Sequence, residues 1–420
     1  MIQKFFPAFV KNGACPERSE WGGRGKLFVL ISCILPMQIN ASCDLTSTFS
    51  ALVALSSTIN TDFANTFTVI NALGACNATP LVVQPDGSTP AITASGYYCL
   101  TGDTTATITI SSSITDVTLD LNNHTVAPTT GNGVLVSSDC SRITIKNGTI
   151  VGASNGINLA GSSIHVYDVH IDGASTGISA GGITNLDIAR VIVTNSVGRG
   201  FDIESSSNVT ISACQASGSS SASDGAFYIS AVGVAGSSVL VNSCIAADNG
   251  ETGFRIYGPN VTLTNCTARG NQEGFIISSG TNITLANCIA NFNINYGFFN
   301  NAEGVVSFVS CIAQNNQAIG FYVAPGAGNG GSGIIMSCIA GGNGNFGFYD
   351  DSSTIHYQYV ANTAQGNGSD AGVYPDSNYY LQSGGGTHPN GTSAPYYQSL
   401  PNTTGGDDFV PTFWNNITLQ

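Results

Sequence analysis

The chain has 420 residues, of which only 9% are charged, whereas 42% are hydrophobic and 51 residues are glycine. So few charges exclude a set of ordinary amphipathic helical domains, and so much apolar material excludes intrinsic disorder. The formal net charge of −14 makes nucleic acid and anionic membrane surfaces poor partners.

Residues 1–41 have the features of a secretory signal peptide. The apolar run Leu27–Met37 follows a basic stretch and precedes a site with small residues at Ile39–Ala41. A lipoprotein signal ending at Cys33 is the alternative, although it leaves few apolar residues before the cleavage point. We therefore predict export to the periplasm, the cell surface or the medium, with no membrane-spanning segment after the signal.

Residues 42–94 are predicted to form a helical segment that caps the following domain. Between Asp44 and Ala75 apolar residues recur at intervals of three and four, which is typical of an amphipathic helix. A stalk or an oligomerising coil is the less favoured alternative, because many Thr and Ser residues weaken a long free helix.

Residues 95–375 contain a repeat with a period of 22 to 27 residues. The clearest copies begin at Cys244 (CIAADNGETGF), Cys266 (CTARGNQEGF) and Cys288 (CIANFNINYGF). Short apolar/polar alternations within each copy, bounded by Gly, Asn and Ser, predict strands. One such coil cannot bury its own apolar side, but coils stacked at about 4.8 Å can. The repeat therefore predicts an all-β fold, a single-stranded parallel β-helix of about eleven coils.

Two alignment columns are predicted to stabilise this solenoid. The residue after the repeat glycine forms a buried aromatic stack, and an asparagine five residues after the Cys position holds a tight turn, since Asn tolerates left-handed backbone conformations. The first column reads Val134, Ile157, Ile178, Phe201, Phe227, Phe254, Phe275, Phe298, Phe321, Phe348 and Val373. The second reads Asn249, Asn271, Asn293, Asn316, Asn343 and Asn367.

Six cysteines share a third inward column. We interpret them as small buried hydrophobic residues rather than metal ligands or disulfides, because the chain has no C-x-x-C pair and in-register neighbours are rarely oriented for a disulfide. They are Cys214, Cys244, Cys266, Cys288, Cys311 and Cys338. Cys43, Cys76, Cys99 and Cys140 lie outside this column, and an exported protein could pair them in any connectivity.

After residue 375 the repeat fades into residues 376–420, which are rich in Tyr, Gly and Pro. This irregular tail is predicted to cover the last coil, whose open strand edges would otherwise invite pairing.

Two segments of the first coils resemble a known family. They are VTLDLNNHTV, from Val117, and ITIKNGTIVG, from Ile143. They are similar to the opening coils of bacterial right-handed parallel β-helix proteins of the pectate-lyase-like superfamily. The resemblance spans residues 95–375 and implies a right-handed helix. It leaves the function open among polysaccharide lyases, hydrolases, tailspikes and adhesins.

A charged cluster is the candidate catalytic site. It comprises Asp168, His170, Asp172, Asp187 and Arg190, with His165 beside Asp187. A hydrolase would use two carboxylates, whereas a lyase would use a basic residue, with Ca²⁺ as the possible cofactor. The alternative is structural: two ion pairs, His165 with Asp187 and Asp168 with Arg190, on a flat wall. No G-H-G or R-I-K motif of polygalacturonase-like enzymes is present.

An outward column, two residues after the repeat glycine, is the candidate ligand-binding surface. It contains Asp202, Tyr228, Arg255, Phe299, Tyr322, Tyr349 and Tyr374. Aromatic rings at successive steps of about 4.8 Å could stack on sugar rings or on a protein, unless the tail folds over them. Ile245, Ile289, Ile312 and Ile339 form a second outward apolar column.

These patterns predict an exported, non-catalytic β-helix that binds a polysaccharide or a cell-surface component and needs no metal or cofactor. The alternative is a polysaccharide lyase or glycoside hydrolase that uses the charged cluster. The sequence does not choose an oligomeric state.

Overall fold

The structure is a computed structural model that describes residues 79–84, 86–220, 225–232, 236–324, 332–350, 356–368 and 379–381. Within these ranges every regular element is a β-strand, and none contains a helix that could span a membrane. The predicted signal peptide and the helix between Asp44 and Ala75 lie outside the described residues, as does the predicted tail apart from Tyr379–Leu381.

The strands are short and follow one another along the whole described chain. The first seventeen are β1 (Thr79–Leu81), β2 (Gly96–Leu100), β3 (Ile108–Ile110), β4 (Thr115–Asp120), β5 (Thr125–Val126), β6 (Val134–Val136), β7 (Ser141–Val151), β8 (Asn155–Leu159), β9 (Ser162–Asp172), β10 (Thr176–Gly181), β11 (Thr184–Ala189), β12 (Ile192–Thr194), β13 (Phe201–Glu204), β14 (Ser207–Ser212), β15 (Gln215–Ser217), β16 (Phe227–Ser230) and β17 (Val239–Asn242). The others are β18 (Ile245–Ala247), β19 (Thr252–Tyr257), β20 (Val261–Thr264), β21 (Thr267–Arg269), β22 (Glu273–Ser279), β23 (Ile283–Ala286), β24 (Ile289–Asn291), β25 (Phe298–Asn300), β26 (Val305–Val309), β27 (Ile312–Gln314), β28 (Phe321–Val323), β29 (Ser332–Met336), β30 (Ile339–Gly341), β31 (Phe348–Asp350), β32 (His356–Val360), β33 (Thr363–Gln365) and β34 (Tyr379–Leu381).

Two parallel sheets build the solenoid. Twelve strands, from β3 to β34, form what we call the aromatic sheet, and the other twenty-two form the two-armed sheet. We call the ladder of β5, β12, β15, β18, β21, β24, β27, β30 and β33 the second arm, and the ladder from β1 to β32 the first arm. Strands β7 and β9 run unbroken through both arms. The predicted parallel β-helix is confirmed.

The aromatic sheet has one more strand than the predicted number of coils. Ile108 pairs with Val134 and so adds a coil at the start. At the other end Phe348 pairs with Tyr379 rather than with the predicted Val373. The last coil is longer than the repeat period, so its strand lies further along the chain than simple counting suggests.

The predicted phenylalanine column is a continuous buried stack. The rings of Phe201 and Phe227 lie 4.5 Å apart and almost parallel, and those of Phe321 and Phe348 lie 4.9 Å apart. The stacked rings fill the interior behind the aromatic sheet. Burial of each aromatic side chain stabilises the folded state by about 2–3 kcal/mol.

The predicted cysteine column is also buried, and its six thiols are free. Each Sγ–H donates to backbone carbonyls, as Cys288 does to the carbonyl of Leu263. The thiols of Cys266 and Cys311, together with burial, raise the pKa of Cys288. Outside the column Cys140 is a free buried thiol and Cys99 is disulfide-bonded, whereas Cys43 and Cys76 lie outside the described residues.

The predicted asparagine ladder is present, but its geometry differs from the prediction. The Asn side chains point inward, and all except that of Asn367 are buried. The left-handed residue of each turn is the one before the Asn, such as Phe292 before Asn293. The Asn293 Oδ1 accepts from the Nδ2 of Asn271, and the Asn293 Nδ2 donates to the Oδ1 of Asn316 at 2.8 Å. The amides therefore tie successive coils together through the interior.

A second column of left-handed residues lies between the two arms, just before the cysteine column. Its members include Arg190, Ala213, Ser243, Asn265, Asn287, Ser310, Ser337 and Ala361, all with φ between 52° and 56°. Each of these residues turns the chain from the first arm into the second within one residue.

Candidate ligand-binding surface

Both predicted pairs of the charged cluster are in contact. Asp187 lies beside His165 in adjacent strands of the first arm, with 3.4 Å between the His165 Nδ1 and the Asp187 Oδ2. Arg190 donates to both carboxylate oxygens of Asp168, at 2.7 and 2.8 Å. These hydrogen bonds lower the pKa of Asp168. The paired arrangement matches the structural alternative stated for this cluster.

The remaining two residues of the cluster meet through a threonine. The His170 Nε2 lies 3.1 Å from the Thr194 Oγ1, and that hydroxyl donates to the Asp172 Oδ1 at 2.7 Å. Hydrogen bonds from Thr194 and Asn195 lower the pKa of Asp172. A general acid requires a raised pKa, so Asp168 and Asp172 are poorly suited to protonate a leaving group.

The described part of the chain contains no group of three or more His, Cys, Asp or Glu side chains that could hold a metal ion.

The segments that carry the family resemblance form a hydrogen-bonded polar cluster in the first coils. The buried Asp120 accepts from the hydroxyl of Tyr97 at 2.8 Å and lies 3.2 Å from the Nζ of Lys146. Burial acts to raise the pKa of Asp120, but hydrogen bonds from Tyr97, the Asn122 backbone, Lys146 and Asn147 outweigh it and lower the pKa. These contacts give a structural role to the D-L-N and I-K-N-G residues that carry the family resemblance.

The predicted ligand-binding column is a single ladder on the outside of the aromatic sheet. In-register pairs join Asp202 to Tyr228 and Tyr228 to Arg255, and the ladder continues through Ile276 to Phe299, Tyr322 and Tyr349. Tyr349 then pairs with Tyr380, not with Tyr374, which lies outside the described residues. The long last coil is again the reason.

Aromatic rings form a continuous cluster at the C-terminal end of this ladder. Phe299 and Tyr322 lie 5.1 Å apart between ring centroids, and Tyr322 and Tyr349 lie 5.0 Å apart. Tyr296 stacks on Phe299 at 5.3 Å, and Phe346 stacks on Tyr349 at 4.9 Å. We call Tyr296, Phe299, Tyr322, Phe346 and Tyr349 the aromatic platform.

Tyr296 and Phe346 were not among the predicted binding residues. Both precede the repeat glycine, and strict alternation would turn them inward. A Cβ at Gly297 would lie 2.7 Å from the Gly320 carbonyl oxygen and 2.8 Å from the Asn316 Nδ2. Gly297 therefore faces the interior next to inward Phe298, and the broken alternation turns Tyr296 outward. In the sequence, the aromatic residue directly before the repeat glycine is the feature that indicates these additional platform residues.

A polar cluster lies at the other end of the ladder. The Arg199 Nη1 donates to Asp202 at 2.5 Å and to Glu204 at 2.7 Å. Its guanidinium carbon lies 3.5 Å from the ring centroid of Tyr228, and Tyr228 lies 5.4 Å from Tyr257. Arg199, Glu204 and Tyr257 were not predicted, because they lie outside the predicted outward column of the aromatic sheet. Between the two ends Ile276 is 6% exposed, so the ladder has an apolar, mostly covered centre.

The second outward column lies on the second arm and contains the four predicted isoleucines together with Thr267. Ile245, Thr267, Ile289, Ile312 and Ile339 pair in register in successive coils. Ile245 is 38% exposed and Ile339 is 46% exposed. This column faces outward as expected.

The family described as "Right handed beta helix region" matches residues 227–367. This match supports the predicted hand of the solenoid. No curated protein matches the chain.

Among solved structures the chain is similar to the A-module of a mannuronan C-5 epimerase from Azotobacter vinelandii, with 12% identity, a TM-score of 0.45, and coverage of 69% of this chain and 90% of the module. It is also similar to a periplasmic alginate epimerase, with 11% identity, a TM-score of 0.32, and coverage of 66% and 74%. A surface protein and adhesin of Streptococcus pneumoniae gives 10% identity, a TM-score of 0.29, and coverage of 66% and 90%. At these identities the similarities concern the fold alone.

Proposed function

We propose that this chain is an exported, non-catalytic β-helix protein that binds a polysaccharide of low charge through the outside of its aromatic sheet. The observation that carries the proposal is the aromatic platform, whose rings lie 4.9 to 5.3 Å from their neighbours. Tyr296, Phe299, Tyr322 and Tyr349 are partly exposed, and Phe346 is buried beside Tyr349 and supports its ring. The rings that meet at Tyr322 are tilted against one another by 38° to 58°, and their exposed faces are amphipathic, so the apolar faces of sugar rings can stack on them.

The polar groups along the ladder fit a weakly charged ligand. Arg199 is shared between two carboxylates, and the Glu273 Oε1 accepts from the Asn295 Nδ2 at 3.0 Å. Amide and carboxylate groups of this kind can bond to hydroxyls at the rim of the platform. A uronate polymer would instead need several cations, and the whole chain has 11 Lys and Arg against 25 Asp and Glu.

The test is a screen of the purified protein against neutral and acidic polysaccharides, with retention and product formation measured together. We expect retention without turnover. Replacing Tyr322→Ala and Tyr349→Ala together removes two central rings and weakens retention by at least about tenfold, since truncation of an aromatic anchor usually costs more than 1 kcal/mol.

Tyr167→Ala is the matched control, because it removes a ring from the two-armed sheet. Its retention should equal that of the unaltered protein, and the circular dichroism of all variants should be the same. Equal retention by the double variant and the unaltered protein would contradict the proposal. Turnover that is lost in Asp187→Ala would establish the lyase or hydrolase alternative.

A further inference from the structure

One corner of the solenoid contains a residue that the fold does not favour. In each coil a left-handed residue precedes the ladder asparagine, where the chain passes from the second arm towards the aromatic sheet. In consecutive coils this residue is Asp248, Gly270, Phe292, Asn315 and Gly342. Gly, Asn and Asp tolerate this conformation, whereas a bulky residue with φ near 56° is an outlier.

Phe292 gains little from burial to offset this strain. Its side chain is 61% exposed, which is the highest value among the exposed large hydrophobic residues of the described chain. Two residues further on Ile294 is 53% exposed, although the neighbouring coils place Gln272 and Gln317 after their ladder asparagines. Strained residues that the surrounding fold holds in place are concentrated at functional sites.

The two residues connect surfaces on both sides of the corner. Along this one coil the outward residues are Ile289, Phe292, Ile294, Tyr296 and Phe299. Tyr296 and Phe299 belong to the aromatic platform, and Ile289 belongs to the isoleucine column of the second arm. Residues 286–300 contain no charged side chain. We call Phe292 and Ile294 the corner pair.

We propose that the corner pair is an additional subsite for the polysaccharide, which runs from the aromatic platform around the corner towards the second arm. This proposal rests on the proposed function and commits to the same ligand. Continuity with the platform through Tyr296 supports it. The Asn295 amide, which donates to Glu273, lies between Ile294 and Tyr296 and supplies polar contacts for hydroxyls along the way.

The experiment uses the full chain with Phe292→Asn and Ile294→Gln, which install the residue types that Asn315 and Gln317 provide in the following coil. Affinity electrophoresis in gels containing hydroxyethylcellulose, galactomannan, xylan or dextran measures retention, and thermal unfolding measures stability. The variant should unfold at a higher temperature because the backbone strain is relieved. On the retaining polymer its binding should weaken on the order of tenfold.

A short oligosaccharide that reaches only the platform should bind the variant and the unaltered protein equally. Asn315→Gly, in the same left-handed column one coil away, is the control and should keep full retention of the polymer.

Unchanged polymer retention by the variant would overturn the proposal, and so would a lower unfolding temperature, because the pair would then be structural. If Tyr322→Ala with Tyr349→Ala weakens retention while the corner variant does not, the platform stands and only the corner subsite fails. If the unaltered protein is retained by no polymer, both proposals fail.

Discussion

Single residues at the corners of the solenoid adopt a left-handed backbone conformation that is unfavourable for most side chains, and the stacking of the coils must offset this strain. Between the arms the chain turns on one left-handed residue per coil, and side chains as different as Arg190, Ser243 and Ala361 occupy it. The stacking of whole coils imposes this conformation whatever the side chain. The sequence therefore contains no consistent residue type by which the column could have been predicted.

Ala213 offers a direct test of this cost. It has φ of 52°, where an L-residue with a Cβ is disfavoured and Asn is better tolerated. We expect Ala213→Asn to raise the free energy of unfolding by about 1 kcal/mol, measured by urea denaturation.

Ala286→Asn is the control for Ala213, because Ala286 lies within strand β23 and Asn is unfavourable in strands. It should give no gain. A similar gain at both positions would show that backbone strain is not the cause.

At the scale of the elements, the asparagine ladder links strands and turns of successive coils, which are more than twenty residues apart in the chain. The Asn293 Oδ1 accepts from the backbone N–H of Asn271, and its Nδ2 donates to the carbonyl of Ala268. These groups are buried, so the ladder supplies the hydrogen bonds that water cannot. The sequence column identified the ladder, but only the structure showed that the amides bond to each other along the solenoid axis.

Asn293→Ala should be strongly destabilising. It leaves the Asn271 N–H and the Ala268 carbonyl buried without their partner, at about 1–3 kcal/mol each, so the expected loss is about 2–6 kcal/mol. Chemical denaturation of the variant measures this loss.

Gln314→Ala provides the comparison for Asn293, since Gln314 is an exposed residue of strand β27. It should change the free energy of unfolding little. A loss of the same size in both variants, or none in Asn293→Ala, would contradict the role of the ladder.

At the scale of the whole molecule, the net charge and the small number of charged residues distinguish cationic, neutral and anionic ligands. The formal net charge is −14, and only 9% of the residues are charged. Long-range attraction would therefore favour cationic partners, whereas contacts on the aromatic platform depend on stacking and hydrogen bonds. Salt screens the long-range attraction between charges and leaves stacking and hydrogen bonds almost unchanged.

Retention on a neutral polysaccharide should consequently be insensitive to ionic strength. Affinity electrophoresis in gels of increasing salt concentration measures this, with polygalacturonate as the acidic polymer for comparison. Strong retention on polygalacturonate that weakens with salt would show that the ligand is anionic, contrary to the proposal.

The repeat in the sequence determined the solenoid, its interior columns and the ladder on which Tyr228, Phe299, Tyr322 and Tyr349 lie. This was possible because parallel in-register pairing places equivalent residues of successive coils directly above one another. A column in the alignment is therefore a column in space, provided that the coil length stays near its period.

Only the tertiary structure decided which outward residues meet across columns and corners. Tyr296 joined the platform because the inward Gly297 interrupts the alternation of side chains. Phe346 is buried and stacks on Tyr349. Tyr380 pairs with Tyr349 in place of Tyr374 because the last coil is longer. The left-handed backbone at Phe292 likewise follows from the corner and not from the residue. Directions of side chains at glycines and corners depend on backbone dihedrals that the stacked coils impose, and these are not encoded in the spacing of the repeat.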